Sequence, residues 1–239
     1  MATEPEQNEL LTLSIVQQKS QGIGFQIWPA AQVFCSFLEN PAHFPEGFWR
    51  GKQVLELGSG CGVVGLRLAS LGAHVVLSDV PNVLELTKRN VKMIFMFVSF
   101  IFLSSNVVLS VSFNIHSISD IYIYIYIHMV QVELNRKVIA PEGSVSTQPL
   151  IWGPKQSVSA SEQRHLQGQA RAAHELKKEY DYVVCSDVVY YEHLFDPLLY
   201  TIAHVCSPHT QVLMCHEDRR LQPEADFFKF LGYSFTSEV

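Results

Sequence analysis

A glycine-rich turn follows the first apolar run of the chain. The run Gln53 to Leu57 is short and apolar, which is typical of a buried parallel strand, and it leads into Glu56-Leu-Gly58-Ser-Gly60-Cys-Gly62. Glycines at this point let the backbone turn tightly and approach a ligand at the carboxyl end of a sheet. The stretch Gly60 to Gly65 also has the GxGxxG spacing of dinucleotide sites, which by itself does not decide between cofactors. The turn therefore predicts a site for a nucleotide-like cofactor.

Two carboxylates beside this turn narrow the choice of cofactor. Asp79 ends the next apolar run, His74 to Ser78, where a carboxylate can accept both hydroxyls of a ribose that bears no phosphate. Glu56 would repel a pyrophosphate but attract the amino group of a cofactor that carries a positive sulfonium. The pair favours S-adenosylmethionine over NADP. Two alternatives stay open here: a tight turn with two solvated acids, and an NAD-dependent oxidoreductase.

The elements that must position these residues alternate between strand and helix along the chain. This alternation predicts an α/β fold with a mainly parallel sheet covered by helices on both faces. The predicted strands are Gln53–Leu57, His74–Ser78, Ser144–Leu150, Tyr182–Ser186, Gln211–Cys215 and a last one over Tyr233–Val239. The predicted helices are Gly62–Leu71, one opened by Pro81 that carries Leu84, Leu86 and Asn90, Leu198–Cys206 and Ala225–Leu231.

Composition excludes several classes of protein. The chain of 239 residues has 17 Lys and Arg against 23 Asp and Glu, so it has no basic field to hold nucleic acid. Its five cysteines are odd in number and form no CxxC, and its histidines have no metal-ligand spacing, so we expect neither a disulfide framework nor a metal site. The acidic, polar N-terminus predicts no signal peptide and a cytoplasmic protein.

One segment, Val91 to Gln131, differs from the rest of the chain. Its only charged residues are Lys92 and Asp120, it lacks Gly, Pro and Ala, and Ile and Tyr alternate over Ile121 to Ile127. Three interpretations compete: a transmembrane helix at Met93 to Val111, a pair of buried strands, and translated non-coding sequence. A repeated TATATA tract gives alternating Tyr and Ile codons, which favours a retained intron inside a single domain spanning residues 1–239.

Several motifs together resemble one enzyme family. They occur in the order seen in the seven-strand methyltransferases, and more narrowly the chain is similar to the family-16 protein-lysine methyltransferases, whose members modify valosin-containing protein, Hsp70 chaperones and elongation factor 1A. The resemblance runs from about Leu11 to Phe228, interrupted by Val91 to Gln131. It rests on Ile27-Trp28-Pro29-Ala30-Ala31, Gly58 to Gly65, Asp79, Trp152 in Leu-Ile-Trp-Gly, and Ser186-Asp187-Val-Val-Tyr190-Tyr191.

The resemblance implies a Rossmann-like class I methyltransferase sheet that lacks its last strand, since the chain stops about where a sixth strand would form. It also implies a role for each matched residue. Glu56, Gly58 and Gly60 would contact the methionine part of the cofactor, Asp79 the ribose and Trp152 the adenine side, with Trp28 and Ser186 also in the cofactor pocket and Asp187 and Tyr190 as catalytic residues. Trp28 and Trp152 could instead be plain core packing.

The implied activity is methyl transfer from S-adenosylmethionine to a lysine of a protein substrate, such as a chaperone, an AAA ATPase or an elongation factor. The enzyme would be a monomer in the cytoplasm and also in the nucleus, with no metal, nucleic acid or membrane partner. A small-molecule methyltransferase, or one acting on arginine or histidine, would have a similar sheet and cofactor loop. A catalytically inactive or truncated binding module is the alternative from another class.

Overall fold

The computed structural model describes residues 15–104, 143–154, 176, 179–217, 219 and 226–229. Its strands are β1 Gln53–Leu57, β2 His74–Asp79, β3 Ser144–Pro149, β4 Tyr182–Ser186 and β5 Gln211–Cys215. Its α-helices are α1 Pro29–Glu39, α2 Val63–Ser70, α3 Pro81–Ser104 and α4 Phe195–Val205, and short 3-10 turns cover Lys19–Gln21, Ile23–Phe25 and Glu192–Leu194. The five strands form one parallel sheet in the order β3-β2-β1-β4-β5.

The predicted α/β fold is confirmed in the part of the chain that the structure describes. Each of its five strands matches its prediction to within a residue at either end. Helix α4 begins three positions before the predicted Leu198, because Pro197 lies in its first turn, where the backbone needs no N–H donor. The predicted helix Ala225–Leu231 is described only over 226–229, which are helical, and the predicted strand Tyr233–Val239 lies outside the described residues.

Successive side chains of the central strands point to opposite faces of the sheet, and each face packs against helices. Val54 and Val184 point into a core shared with α1 and α2, whereas Leu55 and Val183 point into a second core shared with α4. All four side chains are completely buried. This double burial explains why β1 and β4 read as continuous apolar runs and not as alternating ones.

The strand order reverses between β1 and β4. The chain steps outward in one direction from β1 to β2 and β3, and then returns to place β4 and β5 on the other side of β1. In open α/β sheets, the carboxyl ends of the strands at such a reversal border the crevice where ligands bind. The glycine turn after β1 and the Ser186-Asp187 pair at the end of β4 both lie at this reversal.

Helix α3 extends well past the point where the anomalous segment begins. Pro81 opens the helix, as expected for a residue with no N–H to satisfy, and the helix continues to Ser104. The interpretation of Val91 to Gln131 as buried strands is therefore wrong as far as Ser104, while residues 105–131 lie outside the described residues. No helix in the described ranges is both long enough and apolar enough to cross a membrane.

The start of the segment allows a test of whether it is an insertion. Val91 is half-buried and packs against the core shared with α1 and α2, Lys92 is exposed and Met93 is half-buried. Deleting Val91 to Gln131 would put Val132-Glu-Leu134 into these three positions, which keeps the order apolar, charged, apolar on helix α3. We expect the deletion variant to melt, by circular dichroism, at a temperature no lower than that of the full chain.

A deletion one residue longer is the matched control. Removing Val132 as well brings Glu133 into the position of Val91 and turns a charge toward the core. This variant should melt at a lower temperature than the first deletion. Equal melting temperatures for the two deletions would contradict the proposed continuity of the helix.

Candidate functional site

A cavity of about 810 Å³ opens at the carboxyl ends of β1 and β4, a volume within the range of about 300–1,000 Å³ that is usual for small-molecule sites. The N-terminal segment from Gln21 to Trp28 forms one wall, and the glycine turn forms another. The remaining walls come from residues after β2, β3, β4 and β5. The cavity therefore collects residues from every described strand end.

The glycine turn has no room for side chains at two positions. Gly58 and Gly60 have φ angles of 66° and 51°, in the left-handed region that favours glycine. A Cβ on Gly58 would lie 2.8 Å from Cγ1 of Val188 and 3.1 Å from Cζ2 of Trp152, and one on Gly60 would lie 3.2 Å from the carbonyl oxygen of Gly24. Glycine is therefore required both by the backbone conformation and by the neighbouring walls.

Asp79 binds the glycine turn with its own carboxylate. The Gly60 N–H donates to Oδ2 over 2.8 Å, and the Val80 N–H donates to Oδ1 over 2.7 Å. Burial raises the pKa of this carboxyl to about 6, although both hydrogen bonds act in the opposite direction. Each oxygen retains a lone pair, so Asp79 borders the cavity as an acceptor for further hydroxyl donors.

Glu56 lies under the turn, at the border of the cavity. Its side chain points to the α2 face of the sheet, and its Oε2 accepts the Gly65 N–H over 2.8 Å. Burial raises the pKa of this carboxyl to about 8, helped by the charge of Asp79 and opposed by the Gly65 hydrogen bond. The acid predicted to meet a cofactor is thus also attached to the first turn of α2.

Both predicted tryptophans line the cavity and are half-buried. Trp28 precedes α1, and its indole N–H donates to the carbonyl oxygen of Ile23 over 3.0 Å. Trp152, after β3, lies beside Gly58 and Val188. The hydrogen bond of its N–H therefore holds the Trp28 ring in place, and both rings form part of the cavity wall.

Asn90 attaches the N-terminal segment to the rest of the site. Its side chain is completely buried, Oδ1 accepts the Val16 N–H over 3.0 Å, and Nδ2 donates to the carbonyl oxygens of Val16 and Cys61 over 3.1 and 2.9 Å. One amide thus joins α3, the glycine turn and the N-terminal wall. Replacing it would remove a hydrogen-bond partner from three backbone groups, one of them the buried carbonyl of Cys61.

Asp187 follows β4 in an unusual backbone conformation. Its φ of 54° lies in the left-handed region, and it is the one non-glycine residue with a positive φ among those the structure describes. Its side chain is only 2% exposed, and its two oxygens accept from Nη1 and Nη2 of Arg219 over 2.9 and 2.7 Å. Burial alone would raise the pKa of Asp187, but hydrogen bonds from His216 and Arg219, with the arginine charge, hold it well below its usual value.

Tyr190 and Tyr191 form the rim of the cavity near Asp187. Tyr190 is 38% exposed and Tyr191 is 51% exposed, and their ring centroids are 5.0 Å apart in an edge-to-face arrangement. Burial of its hydroxyl, together with the charge of Asp79, raises the pKa of Tyr190 to about 12. Tyr190 therefore keeps its proton at neutral pH and can act as a hydrogen-bond donor.

Two buried hydroxyls in the cavity wall fit a polar ligand. The Oγ atoms of Ser59 and Ser186 have no hydrogen-bond partner within the described part of the chain, although both residues line the cavity. Buried polar groups are nearly always paired, so such atoms indicate where a ligand or water would bind. Across the described ranges, no cluster of three or more His, Cys, Asp or Glu side chains could hold a metal ion.

Sequence reasoning missed Arg219 and Asn90. The end of β5 was predicted, and the carboxyl ends of parallel strands meet at one edge, so the polar residues after Cys215 could have been read as site residues. Asn90 carries no comparable signal, because its partners are backbone atoms distant in sequence.

Comparisons with known proteins agree with this arrangement. A family model described as lysine methyltransferase matches residues 7–111 and 107–233, two pieces that meet inside the anomalous segment. The chain is similar to EEF1A lysine methyltransferase 3 of Xenopus tropicalis, with 23% identity over 219 residues, which is 91% of this chain and 69% of that protein. It is also similar to protein N-lysine methyltransferase METTL21A of Xenopus tropicalis, with 26% identity over 219 residues (91% and 71%), and of Mus musculus, with 27% over 226 residues (94% and 75%).

The raised pKa of Glu56 predicts how stability depends on pH. The folded chain binds this proton more tightly than the unfolded chain, in which the pKa is near 4.5. The free energy of unfolding should therefore fall as the pH rises from about 4.5 to about 8, by at most about 1.4 kcal/mol per pH unit for one group. In Glu56→Gln, whose amide oxygen can still accept the Gly65 N–H, urea unfolding above pH 6 should depend less on pH.

Glu85→Gln is the control for this measurement. Glu85 lies on the exposed side of α3, where it pairs with Lys88, and its substitution should leave the pH dependence of the parent unchanged. If Glu56→Gln kept the parent's slope between pH 6 and 8, Glu56 would not be the buried proton-binding group.

Proposed function

The chain belongs to the lysine methyltransferase family, and we propose that it binds S-adenosylmethionine in the cavity at the ends of β1 and β4 and transfers the methyl group to a lysine of another protein. One observation carries the proposal. Residues that the sequence singles out on five separate segments line the same cavity: Trp28, Glu56, Gly58, Gly60, Asp79, Trp152, Ser186, Asp187 and Tyr190.

The residues around the glycine turn fit the parts of this cofactor. Its ribose hydroxyls suit the remaining lone pairs of Asp79, and its ammonium and sulfonium suit the acidic wall of Glu56. The faces of Trp28 and Trp152 offer apolar surface, with Trp152 on the adenine side, and the unpaired Ser186 hydroxyl offers a further polar contact. S-adenosylmethionine, when bound, would supply an electrophilic methyl group, with its positively charged sulfur as the leaving group.

Asp187 and Tyr190 are proposed to receive the lysine. A lysine must lose a proton before it can attack, and its unperturbed pKa is about 10.4. Asp187 contributes a fixed carboxylate at the end of β4, and Tyr190 contributes a protonated hydroxyl at the rim. Most of the rate enhancement would come from orientation, which can supply about 7–11 kcal/mol in well-aligned reactions.

The first protein to test as substrate is EEF1A. Two of the similar proteins are named for lysine methylation of EEF1A, and others are named only as protein N-lysine methyltransferases. The chaperone and AAA ATPase classes come second. A cytoplasmic, monomeric enzyme stays a prediction from the sequence.

Substituting Asp187 tests the assignment of the site. We expect Asp187→Asn to lower the rate of methyl transfer from labelled S-adenosylmethionine to purified EEF1A by at least about 100-fold, because the group that orients the amine loses its charge. The dissociation constant for S-adenosylmethionine, measured by isothermal titration, should change far less. Circular dichroism should show that the variant remains folded.

Asp196→Asn is the matched control. Asp196 is an exposed acid in the first turn of α4, outside the cavity lining, so its loss should change neither binding nor transfer. An Asp187→Asn variant that turns over like the parent would refute the role of Asp187. Binding of the cofactor by the parent without transfer to EEF1A or to any protein of a cell extract would favour the inactive binding module, and absence of binding would refute the proposal.

A further inference from the structure

Arg219 occupies the cavity beside the proposed catalytic acid, and no motif in the sequence assigns it a role. We infer that Arg219 is a positioning residue for methyl transfer, which acts by holding the Asp187 carboxylate in one orientation and by joining it to Trp28 across the cavity. This inference rests on the proposed function.

The contact between Arg219 and Asp187 has the geometry that fixes a carboxylate best. Both terminal nitrogens of the guanidinium donate, one to each oxygen, over 2.9 and 2.7 Å. Such a two-point contact sets the plane of the carboxylate as well as its position, which a single ammonium cannot do. His216 adds a third contact, with Nδ1 3.4 Å from Oδ1 of Asp187. The acid therefore has one orientation relative to β5.

The backbone of Asp187 needs such restraint. Left-handed φ angles are unfavourable for residues with a Cβ, and they persist where surrounding contacts enforce them. The Asp187 N–H donates to the carbonyl oxygen of Cys215 over 2.8 Å, which holds the main chain, and Arg219 holds the side chain. Without the arginine, the turn after β4 would lose the two-point attachment of its side chain to the segment after β5.

Arg219 also reaches the opposite wall. Its guanidinium carbon lies 5.9 Å from the centre of the Trp28 ring, within the range of a cation–π contact. Its Nη2 is 3.2 Å from the Glu217 carboxylate, which is exposed. The arginine thus joins the segments after β5 and β4 to the N-terminal wall, with the carboxylates of Asp187 and Glu217 close to its charge.

The balance of charge has a consequence for the substrate amine. Among the described residues, Arg219, His216 and the Glu217 backbone N–H face Asp187, and the groups near Arg219 include Asp187, Glu217 and the ring of Trp28. An isolated carboxylate would favour the ammonium form of a bound lysine, whereas a carboxylate already paired with arginine favours it less. Arg219 should therefore help the lysine to give up its proton to solvent before the methyl group moves.

The test is a double-mutant cycle with Asp187→Asn and Arg219→Gln, using purified EEF1A and labelled S-adenosylmethionine. If Arg219 acts through Asp187, the single variant Arg219→Gln should lose at least about tenfold in kcat, and the double variant should be no slower than Asp187→Asn alone. Arg219→Lys, which keeps the charge but not the two-point contact, should lie between the parent and Arg219→Gln. The rise of kcat with pH, which reports the pKa of the bound lysine, should move to higher pH in Arg219→Gln.

Two controls separate this role from others. Isothermal titration should give dissociation constants for S-adenosylmethionine within about threefold of the parent's, since a larger loss that matched the loss in kcat would make Arg219 a cofactor ligand and overturn the inference. Arg67→Gln breaks a comparable arginine–carboxylate pair with Glu39, away from the cavity, and should lower the melting temperature without changing the pH profile.

The remaining results of the double-mutant cycle distinguish failure of this inference from failure of the proposed function. An active parent whose Arg219→Gln variant keeps its kcat and pH profile, or whose two single losses multiply in the double variant, overturns the inference and leaves the proposed function intact. A parent that transfers no methyl group to EEF1A or to any protein of a cell extract refutes the proposed function, and the positioning role falls with it.

Discussion

Two carboxylates that accept backbone N–H groups hold the glycine turn, and the rest of the cavity depends on that turn. Glu56 binds the Gly65 N–H in the first turn of α2, and Asp79 binds the Gly60 N–H within the turn itself. The Glu56 hydrogen bond also requires glycine at position 65, because a Cβ there would lie 2.6 Å from Oε2 of Glu56 and 2.2 Å from Cδ2 of Leu77. The strand ends, the turn and the helix are thus joined by buried hydrogen bonds, and water cannot compete for them.

This arrangement gives the two acids a double role. Their pKa values are raised because burial penalises their charge, so each gains from a nearby positive group. A cationic cofactor would relieve that penalty and favour the ionised form of Glu56, while the backbone hydrogen bonds keep both side chains in place before it binds. Because these hydrogen bonds already hold both side chains and the turn, little conformational entropy should be lost when a ligand binds.

Sequence predicted the parts of the site whose signal is local. The apolar runs of β1, β2 and β4 are continuous because both faces of the sheet are covered, and each ends at a residue with evident chemistry, namely Glu56 with its glycines, Asp79 and Ser186-Asp187. Parallel strands end at one edge of a sheet, and the structure brings these residues together there. The fold class followed from the alternation of strands and helices, and the shared cofactor pocket was implied by the family resemblance.

The parts that sequence did not predict depend on contacts between distant segments. The pairing of Asp187 with Arg219 links residues on two strand ends, and nothing in the spacing of either residue indicates the other. The interaction changes the interpretation of Asp187, because its charge is shared before any substrate arrives. Likewise, the extent of α3 past Asn90 could not be read from composition, since an apolar segment low in charge is compatible with helix and strand alike.

The triple attachment made by Asn90 separates helix α3 into two parts. Everything before it is fixed to the N-terminal wall and the glycine turn, whereas the next turn of helix carries no hydrogen bond to either among the described residues. Protein engineers seek such junctions when they graft a reporter or a second domain into a scaffold. The position after Asn90 could therefore accept foreign sequence without disturbing the cavity, provided that the insert begins with an apolar residue that replaces Val91 against the core.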